Sequence, residues 1–282
     1  MNIKSLNIKG QLWTLDEPFV MGILNVTPDS FYGDSRAQTG TDIRRRIETV
    51  LAEGGRMIDV GGYSSRPDAA DVSVAEERRR LMPALELLNT HYPDVAVSID
   101  TFRADVAQWA VEEYGVAVVN DISGGTLDAR MFETVARLRV PYVLMHIRGT
   151  PQTMRQLTDY ADLTEEIMLY FAEKLRALRL LGVNDVILDP GFGFAKTLEQ
   201  NYELMRSLPE FAAFEAPLLV GISRKRMISG LLDVTAGECL NGTTVLHTFA
   251  LLNGATILRV HDVKAAVEAV KITAKLKIES IC

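Results

Sequence analysis

An α/β fold, a closed (β/α)8 TIM barrel behind a short N-terminal β-hairpin, is predicted by three observations. Eight short apolar runs recur along the chain, a helical stretch follows each of them, and no Pro/Ser-rich linker or low-complexity block interrupts the series. An intervening helix imposes a crossover between successive strands, and crossovers make strands parallel. An open doubly wound sheet is the alternative, but it does not require eight regular units. Residues 1–282 therefore read as one barrel domain.

In order, residues 3–15 alternate around Lys9-Gly10 and predict the hairpin. The first strand runs from Phe19 to Val26, and the polar stretch Thr27–Gly40 is long enough to be a lid. Thr41 or Asp42 caps a helix to Glu53, with Gly54-Gly55 as its stop. Met57–Val60 is the second strand, and Ser73 with Glu76 three residues on predicts a capping box at the next helix. Strands follow at Val95–Ile99, Val116–Val119, Tyr142–Met145, Val186–Leu188, Leu218–Ile222 and Thr256–Val260. Their helices are expected at 103–114, 129–139, 163–181, 199–207, in segments up to about Leu252, and from Val263 to Ile278.

Composition narrows the function. Of 282 residues, 48% are hydrophobic and 24% charged, which suits a globular chain with a sizeable core. A net charge of −7 argues against broad nucleic-acid binding. Cys239 and Cys282 are far apart and make no disulfide framework, and neither a signal peptide nor a membrane-spanning run is evident, so a cytoplasmic protein is expected.

In such a barrel the chemistry gathers at the C-terminal ends of the strands. Those ends carry Asn25, Gly61–Arg66, Asp100, Asn120, His146, Asp189, Lys225, and Arg259 with His261. Each alone has a structural reading as a cap, a turn or a core histidine; Asp59 reads as a hydrogen-bonded structural carboxylate. Together they divide by charge. Asp100, Asn120 and Asp189 suit a nitrogen-rich heterocycle, since a carboxylate accepts two parallel bonds from a guanidine-like edge. Arg66, Arg259 and His261 suit a phosphate or pyrophosphate, and Asn25 beside them suits a hydrated Mg2+. Arg44-Arg45-Arg46 and Arg78-Arg79-Arg80 read as solvated helix faces.

Five linked motifs then resemble the dihydropteroate synthases: Asn25-Val26-Thr27-Pro28-Asp29-Ser30-Phe31; Asp59-Val60-Gly61-Gly62 with Ser64, Arg66 and Pro67; Asp189-Pro190-Gly191-Phe192-Gly193-Phe194; Gly221-Ile222-Ser223-Arg224-Lys225; and Arg259-Val260-His261-Asp262. The resemblance implies a pterin-binding barrel of folate biosynthesis and a sulfonamide target. It would condense 6-hydroxymethyl-7,8-dihydropterin pyrophosphate with p-aminobenzoate, using Mg2+, as a cytoplasmic homodimer. It implies that Asp100, Asn120, Asp189 and Lys225 hold the pterin, with Asp100, Asp189 and Lys225 catalytic. Asn25, Arg66, Arg259 and His261 would hold the pyrophosphate, with Asn25 on the metal. Ser65, Pro67 and Phe194 would form the p-aminobenzoate slot, and Phe192 is expected in the core.

The chain departs from the family pattern at several points. Tyr63 and Ser65 stand in the loop where the family has Glu and Thr, and Ala195 stands where glycine is common. Arg226 replaces serine at a helix N-terminus that would receive the p-aminobenzoate carboxylate, where it adds a charge-assisted contact or points to solvent. Tyr32-Gly33-Asp34-Ser35 also differs from the usual Ser-Asp-Gly-Gly. Two other activities share the barrel. A methyltetrahydrofolate-binding methyltransferase needs no pyrophosphate site, so Arg66, Arg259 and His261 speak against it; a non-catalytic pterin-binding paralogue is kept open by Tyr63 and Arg226.

Overall fold

The computed structural model describes residues 4–27, 40–64 and 72–276. Ser65, Arg66, Pro67 and most of the first long loop lie outside these residues. Strands β1 (Ser5–Ile8) and β2 (Gln11–Thr14) pair antiparallel as the expected hairpin, with Lys9 and Gly10 both at positive φ in the turn. Eight parallel strands follow: β3 (Phe19–Asn25), β4 (Met57–Gly61), β5 (Ala96–Asp100), β6 (Val118–Asp121), β7 (Tyr142–Met145), β8 (Val186–Asp189), β9 (Leu219–Val220) and β10 (Ile257–Val260). They are hydrogen-bonded in the order β8-β7-β6-β5-β4-β3-β10-β9. A parallel bridge between Leu188 and Leu218, with Leu188 N donating to Pro217 O at 2.9 Å, brings the two end strands together.

The intervening helices are α1 (Gly40–Ala52), α2 (Val74–His91), α3 (Ala104–Tyr114), α4 (Met131–Leu138), α5 (Leu163–Leu180), α6 (Leu198–Arg206), α7 (Arg226–Leu232), α8 (Leu240–Leu252) and α9 (Val263–Leu276). The Ser73 hydroxyl accepts from Glu76 N as its position predicts, but the Glu76 carboxylate turns instead to Arg79 and Arg80. A full capping box forms at Thr197–Gln200, where the helix starts one residue earlier than expected. The seventh barrel strand is two residues long rather than five, because the chain after Val220 already enters the turn at Ser223 and Arg224.

Alternation along the strands sorts side chains into two environments. Val20, Ile58, Val97, Val119, Leu144, Leu188, Val220 and Leu258 face outward into the shell packed by the helices. Their neighbours Met21, Met57, Ala96, Val118, Val143, Ile187, Leu219 and Ile257 point inward at the N-terminal end, where Leu6, Ile8 and Leu15 of the hairpin region join them. The hairpin thus plugs the bottom of the barrel. Two residues further along each strand the inward positions are occupied by Ile23, Asp59, Ser98, Asn120, Met145, Asp189, Gly221 and Arg259. Bulky aliphatic residues normally fill the interior layers of such a barrel. Here this layer holds an amide, a hydroxyl and three ionisable side chains. That substitution of polar for apolar defines the site.

Candidate functional site

Asp59, wholly buried on β4, is the hub of the polar layer. One of its oxygens accepts from Asn120 Nδ2 at 3.0 Å and from Arg259 Nε at 2.6 Å. The other end of the Arg259 fork reaches Asp100, with Nη2 donating to Oδ2 at 2.7 Å. Arg259 therefore sits between two carboxylates, and the expected separation of acceptors from cations does not extend to it. Asp59 behaves as the hydrogen-bonded carboxylate that its sequence position suggests, yet the residues it holds are site candidates. Burial works against the Arg259 charge, but Asp59 and Asp100 more than compensate and hold the guanidinium protonated. Burial raises the Asp100 carboxyl and Arg259 opposes it, with the nearby Asp59 adding to the rise.

Gly61 allows the strand ends to close in, since a Cβ there would stand 3.3 Å from Asn25 Oδ1 and 3.5 Å from Asp100 Oδ2. Asn25, half-buried at the end of β3, and Asp100 thus flank one point of the mouth. On the other side, a Cβ at Gly221 would meet Arg259 Cβ and Asp189 Oδ2, each at 3.9 Å. Asp189 is 7% exposed and takes the amide of Gly191 on Oδ1 at 2.8 Å. Burial raises its carboxyl above the ordinary range, against the pull of Lys225.

Lys225 caps α7 with extended backbone, reaches back to donate to the Phe192 carbonyl, and lies 4.6 Å from the centre of the Phe194 ring. Burial lowers its ammonium to about 8, with Asp189 opposing and Arg259 reinforcing the shift. Phe192 is fully buried in the shell, as expected, whereas Phe194 stays partly exposed at the top of the barrel beside Ile122, Met145, Ile147, Met154 and Ala195. Gly193 at φ 80° is required here, since a Cβ would press to 3.2 Å of the Lys225 Cδ. Arg226 opens α7 and is exposed.

His261 ends β10, where its amide donates to Ser223 Oγ and its carbonyl accepts from Arg46 Nη2 at 2.7 Å. Burial first, then the charges of Arg259, Arg46 and Arg224, lower its imidazole to about 3. Arg224 itself is committed to Asp262 through two bonds of 2.8 Å. Asn25, Asp100, Asn120, Asp189, Lys225, Arg259 and His261 thus all belong to strands or strand ends at one mouth.

Two further residues border this mouth: Tyr63, read from the sequence as a departure from the family pattern, and Lys196, which sequence reasoning left out. Tyr63 stacks edge-on against Phe102 at 5.0 Å and accepts at its hydroxyl from Gln152 Nε2 at 3.2 Å, joining the loops after β4 and β7. Lys196 places its Nζ against His146, Gly191 and Phe194. His146, 3% exposed, is the satisfied core histidine its position allows, and burial with the Lys196 charge lowers it to about 2.

The sequence profile of the pterin binding enzyme family matches residues 21–261. A dihydropteroate synthase from Synechocystis is 44% identical over 257 residues, covering 90% of this chain and 88% of the relative. The chain belongs to the dihydropteroate synthase family. Solved members superpose closely. A Yersinia pestis dihydropteroate synthase, in complex with a sulfonamide drug, is 37% identical with a TM-score of 0.91, over 97% of this chain and 98% of that one. The Thermus thermophilus dihydropteroate synthase in complex with 4-aminobenzoate is 36% identical with a TM-score of 0.86, over 97% of this chain and all of that one (100%). These family members share the barrel just described.

Proposed function

We propose that this chain condenses 6-hydroxymethyl-7,8-dihydropterin pyrophosphate with p-aminobenzoate, releasing pyrophosphate and 7,8-dihydropteroate, and that residues 1–282 act as one pterin-binding domain. The observation that carries the reading is the polar interior layer together with Asp100, one inward position above it on β5. Two carboxylates whose charged forms are disfavoured by burial, Asp100 and Asp189, stand ready to accept the N–H groups of a guanidine-like ring edge. Asn120 supplies an amide and Lys225 a donor beside Asp189. Arg259 and His261, with Arg66 and Asn25, would take the pyrophosphate. Binding the pterin would compete with Arg259 for Asp100, leaving the guanidinium available to the departing anion.

In the reaction the methylene C–O bond breaks with its electron pair leaving on pyrophosphate, and the electron-rich ring carries the positive charge. Asp100 and Asp189 favour that charge, while Arg259 and His261 favour the leaving anion. The neutral aryl amine of p-aminobenzoate then attacks the methylene and afterwards loses one proton. Phe194, Ser65 and Pro67 would form its slot, with Arg226 exposed near its carboxylate end. Among the described residues no group of three His, Cys, Asp or Glu side chains could hold a metal ion. Asn25 Oδ1, beside Asp100 at the strand ends, would serve as a protein oxygen for a Mg2+ brought by the pyrophosphate. Such an ion would neutralise charge on the leaving group.

A cytoplasmic homodimer completes the proposal. Leu231, Val245, Ile272 and Leu276 are exposed on α7, α8 and α9, an apolar face suited to a second copy. No helix among the described residues is long and apolar enough to cross a membrane. A coupled assay of pyrophosphate release tests the function: release must depend on both the pterin pyrophosphate and p-aminobenzoate. Pterin binding without release would instead indicate a non-catalytic paralogue.

A further inference from the structure

Lys196 lies one residue beyond the positive-φ Ala195, in the segment that links β8 to α6. Its side chain folds back under the loop it terminates. Nζ is 3.0 Å from Gly191 O, 3.1 Å from Phe194 O and 3.1 Å from His146 Nδ1. An ammonium has three N–H donors, which match the two carbonyls and, in the tautomer protonated on Nε2, the His146 Nδ1. Gly191 O also receives Phe194 N at 3.1 Å, so the two carbonyls that Lys196 joins are the two ends of one tight turn. Lys225 holds the same turn from the other side, at Phe192 O, and Asn201 Oδ1 takes Gly193 N at 2.6 Å. The turn also packs hard on the end of β7: a Cβ at Gly191 would overlap His146 O at 2.0 Å.

We propose that Lys196 is a positioning residue for the second substrate: by tying Gly191 and Phe194 to His146 it fixes the Phe194 ring as the wall of the p-aminobenzoate slot. The inference rests on the synthase reading above and adds to it a residue that itself touches neither substrate. Burial lowers the Lys196 ammonium to about 7, and Asp189 counters this. Removing the Lys196 N–H donors takes the donor from the Phe194 carbonyl, leaves Gly191 O with Phe194 N alone, and frees the turn that carries Phe194. Asp189 keeps its own bond to Gly191 N, so the pterin end of the site should be spared.

The test compares Lys196→Met and Lys196→Arg with the wild type in steady-state kinetics, each substrate varied with the other saturating. Lys196→Met should raise KM for p-aminobenzoate about tenfold while KM for the pterin pyrophosphate stays within about twofold, and Lys196→Arg should recover most of the loss. If Lys196→Met does not yield folded protein, Lys196→Gln, whose shorter amide cannot serve Gly191 O, Phe194 O and His146 together, is expected to raise KM for p-aminobenzoate in the same direction. An unchanged KM for p-aminobenzoate, or equal losses for both substrates, overturns the inference. A wild type with no p-aminobenzoate-dependent release overturns the parent reading itself, which separates the two failures.

Discussion

Asp189 has divided duties between its two oxygens. Oδ1 receives Gly191 N, which shapes the loop, and Oδ2 lies toward Gly221 and the Arg259 side of the barrel. A substitution that keeps the size but removes the charge should therefore act on one substrate. Asp189→Asn is expected to weaken pterin pyrophosphate binding roughly 10- to 100-fold, the loss of a charged hydrogen-bond acceptor worth about 1.5–3 kcal/mol. The affinity for p-aminobenzoate measured on the pterin-loaded enzyme should change by far less. Titration calorimetry with each ligand decides this, and equal losses would undo the assignment of Asp189 to the pterin edge. At this scale the sequence was readable wherever a strand ended. Asn120 and Asp189 announce themselves as the first polar groups after apolar runs, and Asp59 shares the inward parity of Met57 two residues before it. Lys196 had no such signal, because a long side chain returning through a positive-φ turn leaves no periodic trace. The partners of Arg259 were hidden for a related reason: the curvature of the barrel selects them, across 200 residues to Asp59 and 159 to Asp100.

Among the elements, the long strands and helices were legible because their apolar periods are strong, and the short ones were not. β9 shrinks to two residues, and the stretch beyond it breaks into α7 and α8 with a short 3-10 turn at Ala236–Glu238 between them, since Asp233 adopts a positive φ at the end of α7. α8 offers a pH test. His247 is 2% exposed on its inner face, and its Nε2 has no hydrogen-bond partner among the described residues. Burial lowers its imidazole to about 4. In the unfolded chain the ring takes a proton near pH 6.5, while in the folded chain it does so only near 4. As pH falls through this window the unfolded state binds more protons, so stability falls, by about 3 kcal/mol at most. Above pH 6.5 the residue contributes no pH dependence. The raised carboxyls of Asp121 and Asp189 act in the opposite sense, binding protons earlier in the folded state. Urea midpoints measured from pH 7 to pH 4 should therefore drop less in His247→Leu than in the wild type. Parallel curves would show that His247 takes its proton without unfolding the helix.

The whole molecule separates stability from chemistry along the barrel axis. Its lower interior is apolar and closed by the hairpin, where Leu6 is fully buried, pairs in register with Trp13, and packs with Met21, Met57 and Ile257. Trp13 in turn meets Phe19 edge-on at 5.7 Å under the Arg56 guanidinium. The polar layer begins one pleat higher, at Asp59, Asn120, Asp189 and Arg259. Conserving this division means that damage at the bottom should cost folding without touching binding. Leu6→Ala removes a buried side chain from a site the hairpin cannot collapse around, and should cost about 2–5 kcal/mol. Thermal denaturation should show a correspondingly lower Tm, while KM for both substrates, measured well below that Tm, should remain at the wild-type values. The inward residues of neighbouring layers are linked through the backbone of each strand, so the opposite result has a definite meaning. A raised KM in Leu6→Ala would mean that the apolar plug sets the spacing of the strand ends, and that Asp100, Asp189 and Arg259 owe their geometry to the bottom of the barrel as well as to each other.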